Sequence, residues 1–162
     1  MSQAITFKFT VDGEKQIKRG LSRFGEFSGD LREPFWNMVK DFGKIERAQF
    51  ASEGRRGGGK WKKLDTKYAA RKEWQWGIQP IMVASGHLRE SLGGSGSDAI
   101  KEVHKLDMTV GASSDFAIFH HRGGRNPKRK LIELTNADKK RWTDFIQKYL
   151  VYLSRNFIRG KI

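Results

Sequence analysis

Apolar and polar positions alternate at the start of the chain. Ile5, Phe7, Phe9 and Val11 fall at every second position, the period of a strand with one buried face. Asp12-Gly13 predicts a turn, and a short helical pattern through Ile17, Leu21 and Phe24 follows, weakened by Gly20 and Gly25. From about Asp30 to Ala51 the period becomes helical. Leu31, Phe35, Met38, Phe42 and Ile45 recur at steps of four and three as one apolar stripe, which Trp36, Val39 and Phe50 widen. Asp30 and Glu33 have the spacing of a capping box, and Pro34 stands in the first turn, where its missing N–H is tolerated.

Gly54 and Gly57 to Gly59 end that helix and open a basic loop. Asp65 is placed to cap a further helix running to about Trp76, with Lys67 and Arg71 one turn apart on one face. Gly77 stops it and Pro80 prevents its resumption. Ser85 is placed to cap a short helix carrying Leu88 and Leu92, which ends in the turn Gly93-Gly94-Ser95-Gly96-Ser97. Strands are expected near Ala99–His104 and Leu106–Ala112, the second alternating through Leu106, Met108, Val110 and Ala112.

Phe116 to His121 predicts a helical turn broken by Gly123-Gly124, and Lys130 to Leu134 reads as a short strand. A last helix begins at Thr135 or Asn136, where Thr135 and Asp138 have the spacing of an acidic capping box. Trp142, Phe145, Ile146, Tyr149, Leu150, Leu153 and Phe157 give it a wide core-facing stripe. The sum is an α+β fold: a small, mostly antiparallel sheet packed with two long amphipathic helices. The whole chain, 1–162, reads as one domain with loops at about 53–64, 93–98 and 122–130.

Charge changes the picture. Lys and Arg number 32 against 18 acids, a formal charge of +14, so free copies repel one another and polyanions attract them. Apolar residues make up only 37%, yet five Trp and eleven Phe are enough to furnish a core. There is no cysteine, which removes disulfides and thiolate metal sites and fits a reducing compartment. The N-terminal residues lack the basic-then-apolar pattern of a signal peptide, and no apolar run approaches the roughly 20 residues that span a bilayer. A cytosolic protein with no membrane partner is expected.

Catalytic signatures do not assemble. His87, His104, His120 and His121 lack metal-ligand spacing, so no metal and no cofactor are expected. The glycine run before Lys60 is followed by Trp61, where a phosphate-binding loop needs Ser or Thr. Ser85-Gly86 lacks the context of a nucleophile elbow. The expectation is a binding protein, not an enzyme.

Its candidate contacts are two basic clusters. The first is Glu53 to Arg71, where Arg55, Arg56, Lys60, Lys62, Lys63, Lys67 and Arg71 surround a triple glycine and Asp65 is the only acid after Glu53. A segment of this composition reads as a flexible loop that builds no core and meets a phosphate backbone or an acidic protein surface. Trp61 within it has two readings, stacking on an exposed base or anchoring on its own domain or a neighbouring subunit. The second cluster is Arg122, Arg125, Lys128, Arg129 and Lys130. No motif for sequence-specific nucleic-acid recognition accompanies either one.

The order of motifs in the second half carries a resemblance. Ser85-Gly86-His87-Leu88-Arg89-Glu90-Ser91-Leu92 precedes a strand ending Val110-Gly111-Ala112-Ser113. Then come Phe116-Ala117-Ile118-Phe119-His120-His121-Arg122-Gly123 and Pro127-Lys128-Arg129-Lys130-Leu131-Ile132-Glu133-Leu134-Thr135. This succession, with the upstream segment Phe50 to Tyr68, resembles the virion morphogenesis (tail completion) proteins of tailed phages, particularly the Mu-like contractile-tailed group, over roughly residues 30 to 150. Phe116 stands where a Tyr is usual, and Arg122 where an uncharged residue is.

The resemblance implies a structural protein of the virion neck, made in the bacterial cytoplasm. It would finish the tail and join it to the DNA-filled head as a homo-oligomeric ring, hexameric or dodecameric, around the DNA channel. Its partners would be the connector, tail tube or terminator proteins, with non-specific contact to genomic DNA. The family offers no catalytic residues to carry over. Charge reversal at Arg55, Arg56, Lys60 and Lys62 is expected to leave the monomer folded and block assembly. The alternative is a stand-alone basic nucleic-acid-binding protein without sequence specificity.

Overall fold

The computed structural model describes residues 5–10, 29–124 and 126–158. Val11, the Asp12-Gly13 turn, the pattern over 17–24 and Arg125 lie outside them, as do the side chains of Phe9 and Phe157. In chain order the elements are β1 (Ile5–Thr10), α1 (Arg32–Ala51), a 3-10 turn (Arg55–Gly57), α2 (Thr66–Trp76), α3 (His87–Leu92), β2 (Ala99–Val103), β3 (Asp107–Ala112), α4 (Asp115–Arg122) and α5 (Asn136–Ile158). This is an α+β architecture around a three-stranded antiparallel sheet of order β1-β3-β2.

β3 is the middle strand. Its alternation buries Met108, Val110 and Ala112, and Phe7 of β1 pairs with Val110 while Lys101 of β2 does so from the other side. Gly111 faces Thr6, and a Cβ there would lie 2.3 Å from the Ile5 carbonyl oxygen, so a side chain would push β1 off the sheet. α1 packs against the sheet and α5. Leu31, Phe35, Met38, Phe42 and Ile45 join Met108, Val110, Trp142 and Ile146 in one core, and Phe7 meets the Trp142 ring edge-on with centroids 6.1 Å apart. A second core gathers Ile5, Phe50, Trp61, Ile81, Val83, Leu92, Ala112, Ala117 and Leu131.

Several local signals act as expected. The Thr135 and Asp138 box closes reciprocally: the Thr135 N–H donates to Asp138 Oδ2 at 2.9 Å, and the Asp138 N–H donates to Thr135 Oγ1 at 3.2 Å. Asp65 accepts from the N–H groups of Lys67 and Tyr68 and starts α2.

Others are overruled by distant partners. The Asp30–Glu33 box does not form. Leu31 is the N-cap residue, because its side chain is buried and its N–H donates to the Lys105 carbonyl at 2.8 Å, while Asp30 holds the backbone N–H and guanidinium of Arg32. α3 is capped by Gly86 and not by Ser85, whose hydroxyl accepts only the His87 N–H at 3.4 Å. Trp36 is 45% exposed and does not widen the stripe. Lys130 to Leu134 forms no strand, since side chains take up part of its backbone hydrogen bonding. The Lys130 carbonyl accepts from Gln49 and Trp61, and the Leu131 N–H donates to His121 Nδ1.

Glu46 is the anomaly of α1. It is fully buried, and neither carboxylate oxygen has a hydrogen-bond partner among the described residues. Burial pushes its pKa well above the ordinary carboxylate value, opposed only in part by the charge of Arg56. A carboxyl with a raised folded pKa contributes its full stability below the unfolded value of about 4.3, and loses it as pH rises through the folded value. Glu46→Gln is therefore expected to gain on the wild type as pH rises from about 5 to about 8. Urea denaturation at the two pH values checks this, and a difference that stays constant with pH would refute it.

Candidate functional site

The two basic clusters meet in space. α1 ends at Ala51, and Gly54 turns the chain at φ +88°, where a Cβ would collide with Trp61 Cδ1 at 2.4 Å. The chain then loops back so that Trp61 is buried, its ring edge-on to Phe50 with centroids 5.3 Å apart. Its Nε1–H donates to the Lys130 carbonyl at 2.9 Å, across 69 positions of sequence. Of the two readings of Trp61, the structure places it in its own domain. The segment therefore does contribute to a core, contrary to its composition, because one aromatic residue turns inward while all of its cations but Arg56 stay out.

Arg129 makes the second joint. Buried itself, it donates from Nε and Nη2 to the Lys62 carbonyl at 3.1 and 3.0 Å, from Nη2 to the Lys63 carbonyl at 3.4 Å, and faces His120 Nδ1. Burial draws its pKa down. Arg129 acts as a strut between the loops. Around that joint Lys60, Lys62, Lys63, Lys128 and Lys130 are exposed, Lys130 pairing with Glu133 at 3.0 Å, and Arg55 and Arg122 are exposed as well.

Arg56 is also committed within the chain. It pairs with buried Asp138, which Arg141 joins at 2.7 Å; Arg141 in turn holds Asp41 at 2.7 Å, and Trp142 Nε1 donates to Asp41 at 2.8 Å. Burial alone would raise the Asp138 pKa, but hydrogen bonds from Thr135, Arg56 and Arg141 hold it well below the usual carboxylate range. Reversing the charge of Arg56 would break this cluster, so the expectation that all four reversals spare the fold is corrected for that residue. Lys67 and Arg71 stand apart on α2, with the Arg71 guanidinium 5.4 Å from the Tyr68 ring centroid.

Beside the joint lies an open groove of about 730 Å³ between α2, α3 and α4, lined by Leu64, Tyr68, Met82, Leu88 and Phe116 together with the charged Lys63, Asp65, Lys72 and Arg129. Sequence reasoning missed it because its walls come from four separate segments. Of the histidines, His87 pairs with Asp98 at 2.6 Å, and His120 and His121 brace the second loop with pKa values lowered by burial. No group of three or more His, Cys, Asp or Glu suited to a metal exists among the described residues. No helix among them is long and apolar enough to cross a membrane.

A family model described as the phage virion morphogenesis family matches residues 12–151, most of the chain. No curated protein and no solved structure matches it.

Proposed function

The chain belongs to the phage virion morphogenesis family, a structural role in the virion, and from that premise we propose that it completes the tail and joins it to the DNA-filled head. In this reading it works as one subunit of a ring around the DNA passage. The observation that carries the reading is the joining of two basic loops, through Trp61 and Arg129, into one face on a chain of charge +14. Such a face, repeated around a ring, lines a lumen with cations that meet phosphates without reading sequence, or grips an acidic face of a neighbouring ring.

The test complements a phage deleted for this gene with a variant reversing Arg55, Lys60, Lys62 and Lys63. All four are exposed, and Arg56 is left intact. The variant is expected to keep its thermal midpoint and to yield no infectious particles, with filled heads and separate tails under the electron microscope. Wild-type plaque yield would remove these loops from the function. Intact infectious particles from the deletion itself would put the stand-alone nucleic-acid-binding reading first.

A further inference from the structure

α2 is scarcely attached to its own domain. It buries only Lys72, whose ammonium donates to the carbonyls of Gln79 and Pro80 in the loop that follows. Among the described residues, six of the ten exposed large apolar side chains belong to this region: Tyr68, Trp74, Trp76, Ile78, Phe116 and Phe119. Trp74 and Ile78 are the most exposed, at 89% and 88%. An apolar concentration of this kind marks a contact surface.

The patch has two halves of complementary form. One half is the groove already described, whose lining is mainly apolar and also holds the exposed Lys63 and Asp65 and the buried Lys72 and Arg129. The other is the protruding segment Glu73–Gln79, which carries Trp74, Trp76 and Ile78 with a single acid and no base. On a helix Trp74 lies about 160° around the axis from Lys72 and about 120° from Tyr68, both of which line the groove. Trp74 therefore faces away from the groove of its own chain, while Trp76, about 40° from Lys72, lies on the groove side of the helix.

We propose that the Trp74–Ile78 protrusion of one subunit docks in the α2–α3–α4 groove of the next copy, Glu73 approaching the exposed Lys63. A surface that meets a different surface on an identical chain is heterologous, and such contacts propagate head to tail until they close as a ring. This deepens the ring reading and rests on it. The salt dependence is opposite to that of phosphate binding. Screening relieves repulsion between chains of charge +14, so self-association through this apolar contact strengthens with salt, while binding to DNA weakens.

The test is sedimentation of the purified chain at micromolar concentration in ~0.5 M salt. The wild type is expected to assemble beyond a dimer. Trp74→Asp, and separately Phe116→Asp in the groove, are expected to weaken association by roughly 30-fold or more, as loss of an aromatic anchor does. Both sites are exposed, at 89% and 74%, so the variants keep the wild-type melting curve, and Ile78→Asp is a second probe of the protrusion. Mixing the Trp74 and Phe116 variants restores one intact contact and gives a heterodimer that grows no further. A wild type that stays monomeric in high salt overturns both the ring and this contact. Assembly that survives in the variants, or a mixture that stays monomeric, overturns this contact alone.

Discussion

Trp61→Ala is expected to destabilise the fold by about 3–5 kcal/mol, the range for removing a large aromatic residue from a core. For a chain of this size that lowers the thermal midpoint by about 10 °C. Trp61 is 3% exposed, packs edge-on against Phe50, and lies against Gly54, where no side chain could be accommodated. Truncation would leave a cavity between the end of α1 and the 130–131 segment. Trp61→Phe keeps most of the ring and loses the Nε1–H. Because Gln49 still donates to the Lys130 carbonyl at 3.1 Å, that variant is expected to cost only about 1 kcal/mol. Guanidinium denaturation of the three proteins separates packing from hydrogen bonding. A Trp61→Ala midpoint equal to the wild type would mean that the ring does not pack where the structure places it, and would return the base-stacking reading.

The consequence for function is that the basic loop is held, not loose. A held loop presents its lysines at fixed spacing, and fewer backbone freedoms are lost when it meets a partner. In the proposed partner contact the exposed cations meet the partner, while Trp61, Arg129 and Arg56 tie their loops to the domain. Alanine at either group could abolish assembly, but only the second group would also change the melting curve. That separation is what makes the loop's role measurable.

The division follows the range of the interactions that fix each part. Period and capping act over a few residues, so the stripe of α1 from Leu31 to Ile45, that of α5 from Trp142 to Leu150, the alternation in β3 from Met108 to Ala112, the Asp65 cap and the Thr135–Asp138 box were all legible in the sequence, whereas Leu106 precedes β3 and is exposed. The start of α1 was not, because Leu31 answers to Lys105; nor was the lost strand at 130–134, because Gln49 and Trp61 claim its carbonyl. One local clue was available. Continuing the α1 steps of four and three past Ile45 lands on Gln49, a polar residue at a core position, and buried polar groups need partners. Arg129 carried no such signal: in sequence it is one cation among five, and only burial against the Lys62 and Lys63 carbonyls distinguishes it.

Asp138→Ala is expected to cost about 3–5 kcal/mol at neutral pH, since it leaves the partly buried Arg56 without its carboxylate and opens the first turn of α5. Arg141 loses less, because it is more exposed and retains Asp41. The acid limb supplies a second readout. Asp138 has a depressed folded pKa, so its stabilisation is present above the unfolded value of about 3.9 and is lost as pH falls below it. The wild type is expected to weaken through that window, and the variant to show a shallower fall because this linkage is already gone. Urea denaturation from about pH 6 to about pH 3 measures both. Equal slopes would assign the acid sensitivity to other carboxylates. If the variant folds at low temperature, its exposed lysines are all intact while one tether of the basic loop is cut. Failure of that folded variant to support particle assembly would show that the placement of the cations matters, beyond their number.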